Sequence, residues 1–138
     1  MSEQNNLGVV RMGYDAFGRG DINGLLNLLD DNVEWITPGP SEVRTAGARR
    51  GRQAVGEFFK TLNETFEITN FQPKEFIAQG DRVIVLGTDT ARIKATGKTL
   101  DFNWVHSFTV KNDKIVNFTE YGDMSAVAAE LKGAAARV

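Results

Sequence analysis

Two apolar periodicities divide this sequence, and their order constrains the fold more than any single motif does. In the first half most apolar groups recur at helical spacing. Leu7, Val10, Tyr14 and Phe17 form one stripe, and Val55, Phe58, Phe59, Leu62 and Phe66 form another, which predicts helices over residues 5–17 and 52–65. Gly18-Arg19-Gly20-Asp21 breaks the first helix. Asp21 can cap a second one carrying Ile22, Leu25, Leu26 and Leu29, which ends at Asp30-Asp31-Asn32. Residues 33–37 read as a short strand stopped by Pro38-Gly39-Pro40, and residues 41–51 as a polar, arginine-rich loop. Beyond Ile68 the apolar groups alternate instead. Strands are expected over residues 71–79, 82–94, 99–110 and 114–121, with Pro73 marking an edge or a bulge in the first of them. An alanine-rich helix, capped by Asp123 or Ser125, closes the chain near residue 136. Helices followed by an antiparallel meander define an α+β domain, with the helices grouped on one side of the sheet.

Composition narrows the function classes. The 138 residues suit one domain, 1–138, and can bury a core without covalent staples. A net charge of −2 gives no electrostatic reason to expect a nucleic acid or an anionic membrane as partner. With no cysteine, thiolate chemistry, disulfides and cysteine metal sites are excluded. The polar start, Met1-Ser2-Glu3-Gln4-Asn5-Asn6, does not read as a signal peptide, so the expected compartment is cytoplasmic. Gly18-Arg19-Gly20 joins two helices and is no dinucleotide fingerprint. The arginines at 44, 49, 50 and 52 read as a solvated loop rather than an anion-attracting rim.

Alternation then assigns strand faces. Val83, Val85, Gly87, Asp89 and Ala91 share one face; so do Phe102, Trp104, His106, Phe108 and Val110; so do Val116, Phe118, Glu120 and Gly122. Each face is largely apolar and carries one ionisable residue: Asp89, His106 (the single histidine) and Glu120. A first hairpin turning on Thr96-Gly97 would set Asp89 opposite Trp104. A second with a three-residue loop at 111–113 would set Trp104 opposite Glu120, with His106 diagonal to both acids. Two carboxyls in an apolar setting tend to differ in protonation, so the pair can donate and accept protons across a small molecule. His106 would orient or share a proton, while Trp35, Thr37, Phe102, Trp104, Phe118 and Tyr14 would contact the substrate. No spacing motif supports a metal, and no cofactor is expected.

Several segments, in order, resemble the SnoaL-like and ketosteroid-isomerase-like group of the NTF2-like superfamily. They are Tyr14-Asp15-Ala16-Phe17-Gly18-Arg19-Gly20-Asp21, Gly51-Arg52-Gln53-Ala54-Val55, Trp104-Val105-His106-Ser107-Phe108, Asp113-Lys114-Ile115 and Glu120-Tyr121-Gly122-Asp123. The resemblance implies a cone of strongly curved antiparallel sheet, N-terminal helices over its concave face, an enclosed apolar pocket for a small hydrophobic ligand, and a homodimer. It spans isomerases, cyclases, dehydratases, epoxide hydrolases and non-catalytic binders. Thr37-Pro38 occupies the place where steroid isomerases of this group carry a catalytic aspartate, which disfavours that reaction. Gly87-Thr88-Asp89 and Glu120 match the two acids of limonene-type epoxide hydrolases, with glycine in place of their arginine and with Trp35 and Thr37 where their water-holding residues stand. Two readings stay open: a cofactor-free acid/base enzyme, and a binding or dimerisation module without chemistry.

Overall fold

Ser2 starts the fold by accepting a hydrogen bond from the Asn5 N–H at 3.0 Å, capping the helix α1 (Glu3–Gly18). The computed structural model describes residues 2–136. After α1 come α2 (Ile22–Leu26), β1 (Leu29–Thr37), β2 (Gly47–Arg50), α3 (Arg52–Thr65), β3 (Phe66–Gln79), β4 (Arg82–Ile93), β5 (Thr99–Lys111), β6 (Lys114–Tyr121) and α4 (Ser125–Ala136). The strands form one sheet in the order β2-β1-β6-β5-β4-β3. Every pairing is antiparallel except β1 with β6, which is parallel.

The sheet is curved and unclosed, and its bends have local causes. Register shifts interrupt β1/β6 between Leu29 and Glu34, β3/β4 at Thr69/Gln72 and again at Pro73/Glu75, and β5/β6 at Thr109/Val110. Each extra residue bends its strand and sharpens the twist. Pro73 sits between two of these shifts on an edge strand, where its missing N–H costs nothing. The helices α1 and α3 cover the concave face. Val9 and Val10 of α1 and Val55, Phe58 and Phe59 of α3 meet Val83, Val85, Phe108 and Phe118 of the sheet in the main core. A second cluster forms where Val127 of α4 packs with Val43, Phe66, Ala91 and Ile93.

The boundaries differ from expectation in three places. Leu29 belongs to β1, not to the second helix, which ends at Leu26. It is fully buried and pairs with Ile115, so strand pairing overrides the helical spacing of a short leucine run. The strand β3 begins at Phe66, not Phe71. The supposed loop at 41–51 contains the edge strand β2, whose pairs with β1 set Arg50 against Glu34 and Arg49 against Trp35. Its arginines brace the structure. Arg52 donates to the Leu29 carbonyl at 2.8 Å and pairs with Asp31, while Arg49 donates to the carbonyls of Thr45 and Arg44. No described helix is long and apolar enough to cross a membrane.

Candidate active site

The three predicted strand faces do converge. Asp89, Trp104, His106, Phe118 and Glu120 all line one cavity of about 140 Å³ between helices and sheet, together with Tyr14, Trp35, Thr37 and Phe102. The pairing within it differs from the expected register. Asp89 lies opposite Phe102, Gly87 opposite Trp104, and His106 directly opposite Glu120. Trp104 is therefore directly opposite neither acid but lies on the diagonal between them, Asp89 being four residues offset from Glu120 along β5. The cause is turn geometry. The first hairpin closes on four residues, with Ile93 N–H donating to the Lys98 carbonyl at 2.7 Å. The second turns tightly on Asn112 and Asp113, which take φ of 52° and 62°, and β6 then bulges. The bulge also turns Ile115 inward where Val116 was expected. The first hairpin shifts by two residues, and the second by one at its turn and one more at the bulge, so beyond the bulge Phe118 and Glu120 keep their expected face.

Gly87 organises the aromatic wall. A Cβ there would run into the six-membered ring of Trp104 and come within 2.6 Å of the Gln72 carbonyl oxygen. The bare backbone lets the indole lie flat on β4. Trp104 then stacks on His106 at 3.9 Å and 14° on one side and on Phe71 at 5.1 Å and 18° on the other. The sequence offered Gly87 only as an absent arginine. Its role is to make room.

His106 is locked from three directions. Trp104 covers one face, Phe118 meets its ring at 4.8 Å and 65°, and Tyr14 Oη lies 2.7 Å from Nδ1. Burial pushes the imidazole below its ordinary value, with the Glu120 charge opposing, while burial and Glu120 push the Tyr14 hydroxyl far above its own. The imidazole is therefore neutral at neutral pH and the phenol keeps its proton. Tyr14 donates to Nδ1, which places the imidazole proton on Nε2, 3.9 Å from Glu120 Oε2. That gap is too long for a hydrogen bond but short enough for charge to act. Tyr14, expected as a substrate contact, lines the cavity, and its hydroxyl also fixes this tautomer.

Asp89 is the poised group. It is half-buried, and its carboxyl is pushed up to about 6, first by burial and then by the Glu120 and Asp101 charges. The Trp104 N–H lies near enough to offset part of that rise but makes no hydrogen bond. Replacing Glu120 by Gln should lower the Asp89 midpoint, because one charge that raises it is gone, and should depress His106 further, because the charge that supports its cation is gone. Carboxyl-carbon and imidazole-nitrogen NMR titrations of the variant check both signs. An unmoved Asp89 midpoint would mean that burial alone sets it.

Thr37 is buried, and its hydroxyl donates to the Thr45 carbonyl, so it serves as wall and loop anchor. Trp35 stacks on Phe118 at 4.0 Å and 24°. Its indole N–H and that of Trp104 are buried with no acceptor. Among the described residues, no three histidine, aspartate or glutamate side chains gather as a metal site.

Residues 10–118 match the SnoaL-like domain family. Among solved structures the chain is similar to an NTF2-like protein from Burkholderia xenovorans, at 40% identity over 94% of this chain and 97% of that one, with a TM-score of 0.85. An NTF2-like protein of unknown function from Burkholderia pseudomallei is 31% identical over 94% and 97%, with a TM-score of 0.84. TerC, co-crystallized with polyporic acid, is 28% identical over 93% and 98%, with a TM-score of 0.82. No curated protein matches the chain.

Proposed function

The chain belongs to the SnoaL-like domain family, and from that premise we propose that it is an acid/base enzyme acting on a small, mostly apolar molecule held between the helices and the sheet. The observation that carries this reading is Asp89. Its carboxyl is raised to about 6, it lines the same cavity as Glu120, and no lysine or arginine pairs with either acid among the described residues. A carboxylate tuned toward neutrality while facing a cavity suits proton transfer, because efficiency peaks when the catalytic pKa lies near the working pH.

In this reading Asp89 takes a proton from the bound molecule. Glu120 is the second carboxyl, and the Tyr14–His106 pair directs an N–H toward it from 3.9 Å. Protein groups alone supply the chemistry, of isomerase, cyclase, dehydratase or hydrolase type. The cavity volume limits the occupant: about 140 Å³ is close to the ~150 Å³ of an apolar cavity that accepts benzene. One six-membered ring with a few substituent atoms fits. The co-crystallization of TerC with polyporic acid supports an organic ligand for this fold. The rival module without chemistry would fill the interior with its own aromatics or tie both acids into fixed ion pairs. The open volume and the unpaired Asp89 favour the enzyme.

Proton abstraction can be measured without knowing the physiological substrate. Cyclohexanone and 2-cyclohexenone, incubated with the protein in D₂O, should take up deuterium beside the carbonyl. Asp89→Asn should slow that uptake on the order of 10²-fold or more. Equal rates in the two proteins would remove Asp89 from the chemistry.

A further inference from the structure

The charges that face the cavity are of one sign. Asp89, Glu120 and, at its rim, Asp123 contribute carboxylates, and no lysine or arginine lines it. The nearby guanidiniums are engaged elsewhere: Arg49 on backbone carbonyls and above the Phe58 ring, Arg44 with Glu64, Arg50 with Glu34, and Arg52 with Asp31. His106 adds no cation, since its Nδ1 accepts from Tyr14. The remaining wall is mostly aromatic, with Trp35, Phe102, Trp104 and Phe118 among its members. Trp35 and Trp104 are each more than nine-tenths buried, so their ring faces are part of a wall from which water is largely excluded.

We propose that the cavity selects a monocyclic organic ammonium, with its ring among the aromatic side chains and its charged nitrogen toward Asp89 and Glu120. The inference rests on the reading of this cavity as a substrate site and narrows the substrate to amines. Its physical basis is a difference in what each ligand charge meets. Asp89 is already partly desolvated by the fold beside the Glu120 charge, so a cation recovers interaction that Asp89 otherwise lacks. A neutral ring of the same shape recovers none of it. A carboxylate adds a third like charge to a low-dielectric space and is rejected. Aromatic faces attract ammonium groups further, most strongly where water is excluded.

The test is calorimetric titration of the full chain with benzylamine, benzyl alcohol and benzoate, three probes of nearly equal size and different charge. At pH 7 benzylamine should bind about tenfold more tightly than benzyl alcohol or better, with benzoate weakest. Asp89→Asn should narrow the gap between the amine and the alcohol, and Asp89→Asn with Glu120→Gln should close it. Lowering the pH from 7 to 5 should weaken the amine, as Asp89 takes up a proton. The groups bearing on that titration are Glu120 on β6, Asp101 and the Trp104 N–H on β5, and, beyond them, His106 and Tyr14. If the alcohol or benzoate binds as well as the amine, the charge preference is wrong while the cavity remains a ligand site. If none of the three binds, both the preference and the substrate-site reading fall.

Discussion

Replacing Asp89 with Asn is expected to make the protein more stable at neutral pH while removing the proposed proton-transfer activity. The folded-state pKa of Asp89 is raised, from 3.8 to about 6. Its contribution to stability is therefore fully present below the unfolded value of 3.8 and is lost as pH rises through about 6. At pH 7 the native protein holds an ionised carboxylate in a half-buried, apolar place beside another negative charge. Asparagine keeps the shape and drops the charge. For a fully buried group the shift would correspond to about 3 kcal/mol. Solvent screening of this half-buried carboxyl reduces the expected gain to about 1 kcal/mol. For a chain of this size that raises the melting temperature by roughly 3–4 °C. The difference should fall to a small fraction by pH 4 and vanish well below the unfolded value of 3.8, where Asp89 is neutral in both states. Thermal melts of the two proteins at pH 4 and pH 7 check the sign. A variant less stable than the native protein at pH 7 would assign Asp89 a structural role. Gained stability with lost activity is the trade that a strained catalytic group produces.

Gly87→Ala should have the largest structural effect of any single methyl group near the site. Its φ is not in the left-handed region, so the penalty comes from space alone. The added carbon meets the Trp104 ring and the Gln72 carbonyl together. The indole cannot lift away freely, because His106 and Phe71 stack on it. The Gln72 carbonyl is backbone, held in the bulged pairing of β3 with β4. Overpacking of this kind costs about 1–3 kcal/mol, and two rigid neighbours place Gly87 at the upper end. Chemical denaturation measures that cost. A second readout separates a general loss of stability from a local one. Tilting Trp104 uncovers His106, so the imidazole midpoint should rise toward its ordinary value in the folded variant. An alanine variant of native stability with an unmoved His106 would show that the indole does not depend on the bare backbone.

What the sequence made legible follows from parity. Alternation sorts side chains by face, and only a slip by an odd number of residues would reverse that sorting. The four-residue closure after Ile93 slips by two, and the tight turn at Asn112-Asp113 and the one-residue bulge in β6 slip by one each, two together, so Asp89, His106 and Glu120 reach the cavity as expected although their partners change. Register itself was not legible, because loop length and bulges leave no mark on the apolar pattern. The edge strand β2 was hidden for a related reason: Gly47-Ala48-Arg49-Arg50 has no apolar alternation, and what holds it is pairing with β1. Charged, short edges of this kind also resist pairing with other chains. The Tyr14–His106 hydrogen bond joins residues 92 positions apart, and only the packing of α1 on the sheet brings them together. Leu29 had an apolar spacing compatible with both helix and strand, and its partner Ile115 decided between them.

The most direct test is the pH titration of the Asp89 side-chain carboxyl, followed by carbon NMR in the full chain. The fold described here places that group in an apolar cavity beside a second acid, and a midpoint of about 6 is expected. A midpoint in the ordinary aspartate range, about 3.9, would mean that water reaches the carboxyl freely and that Asp89 is a surface charge with no catalytic poise.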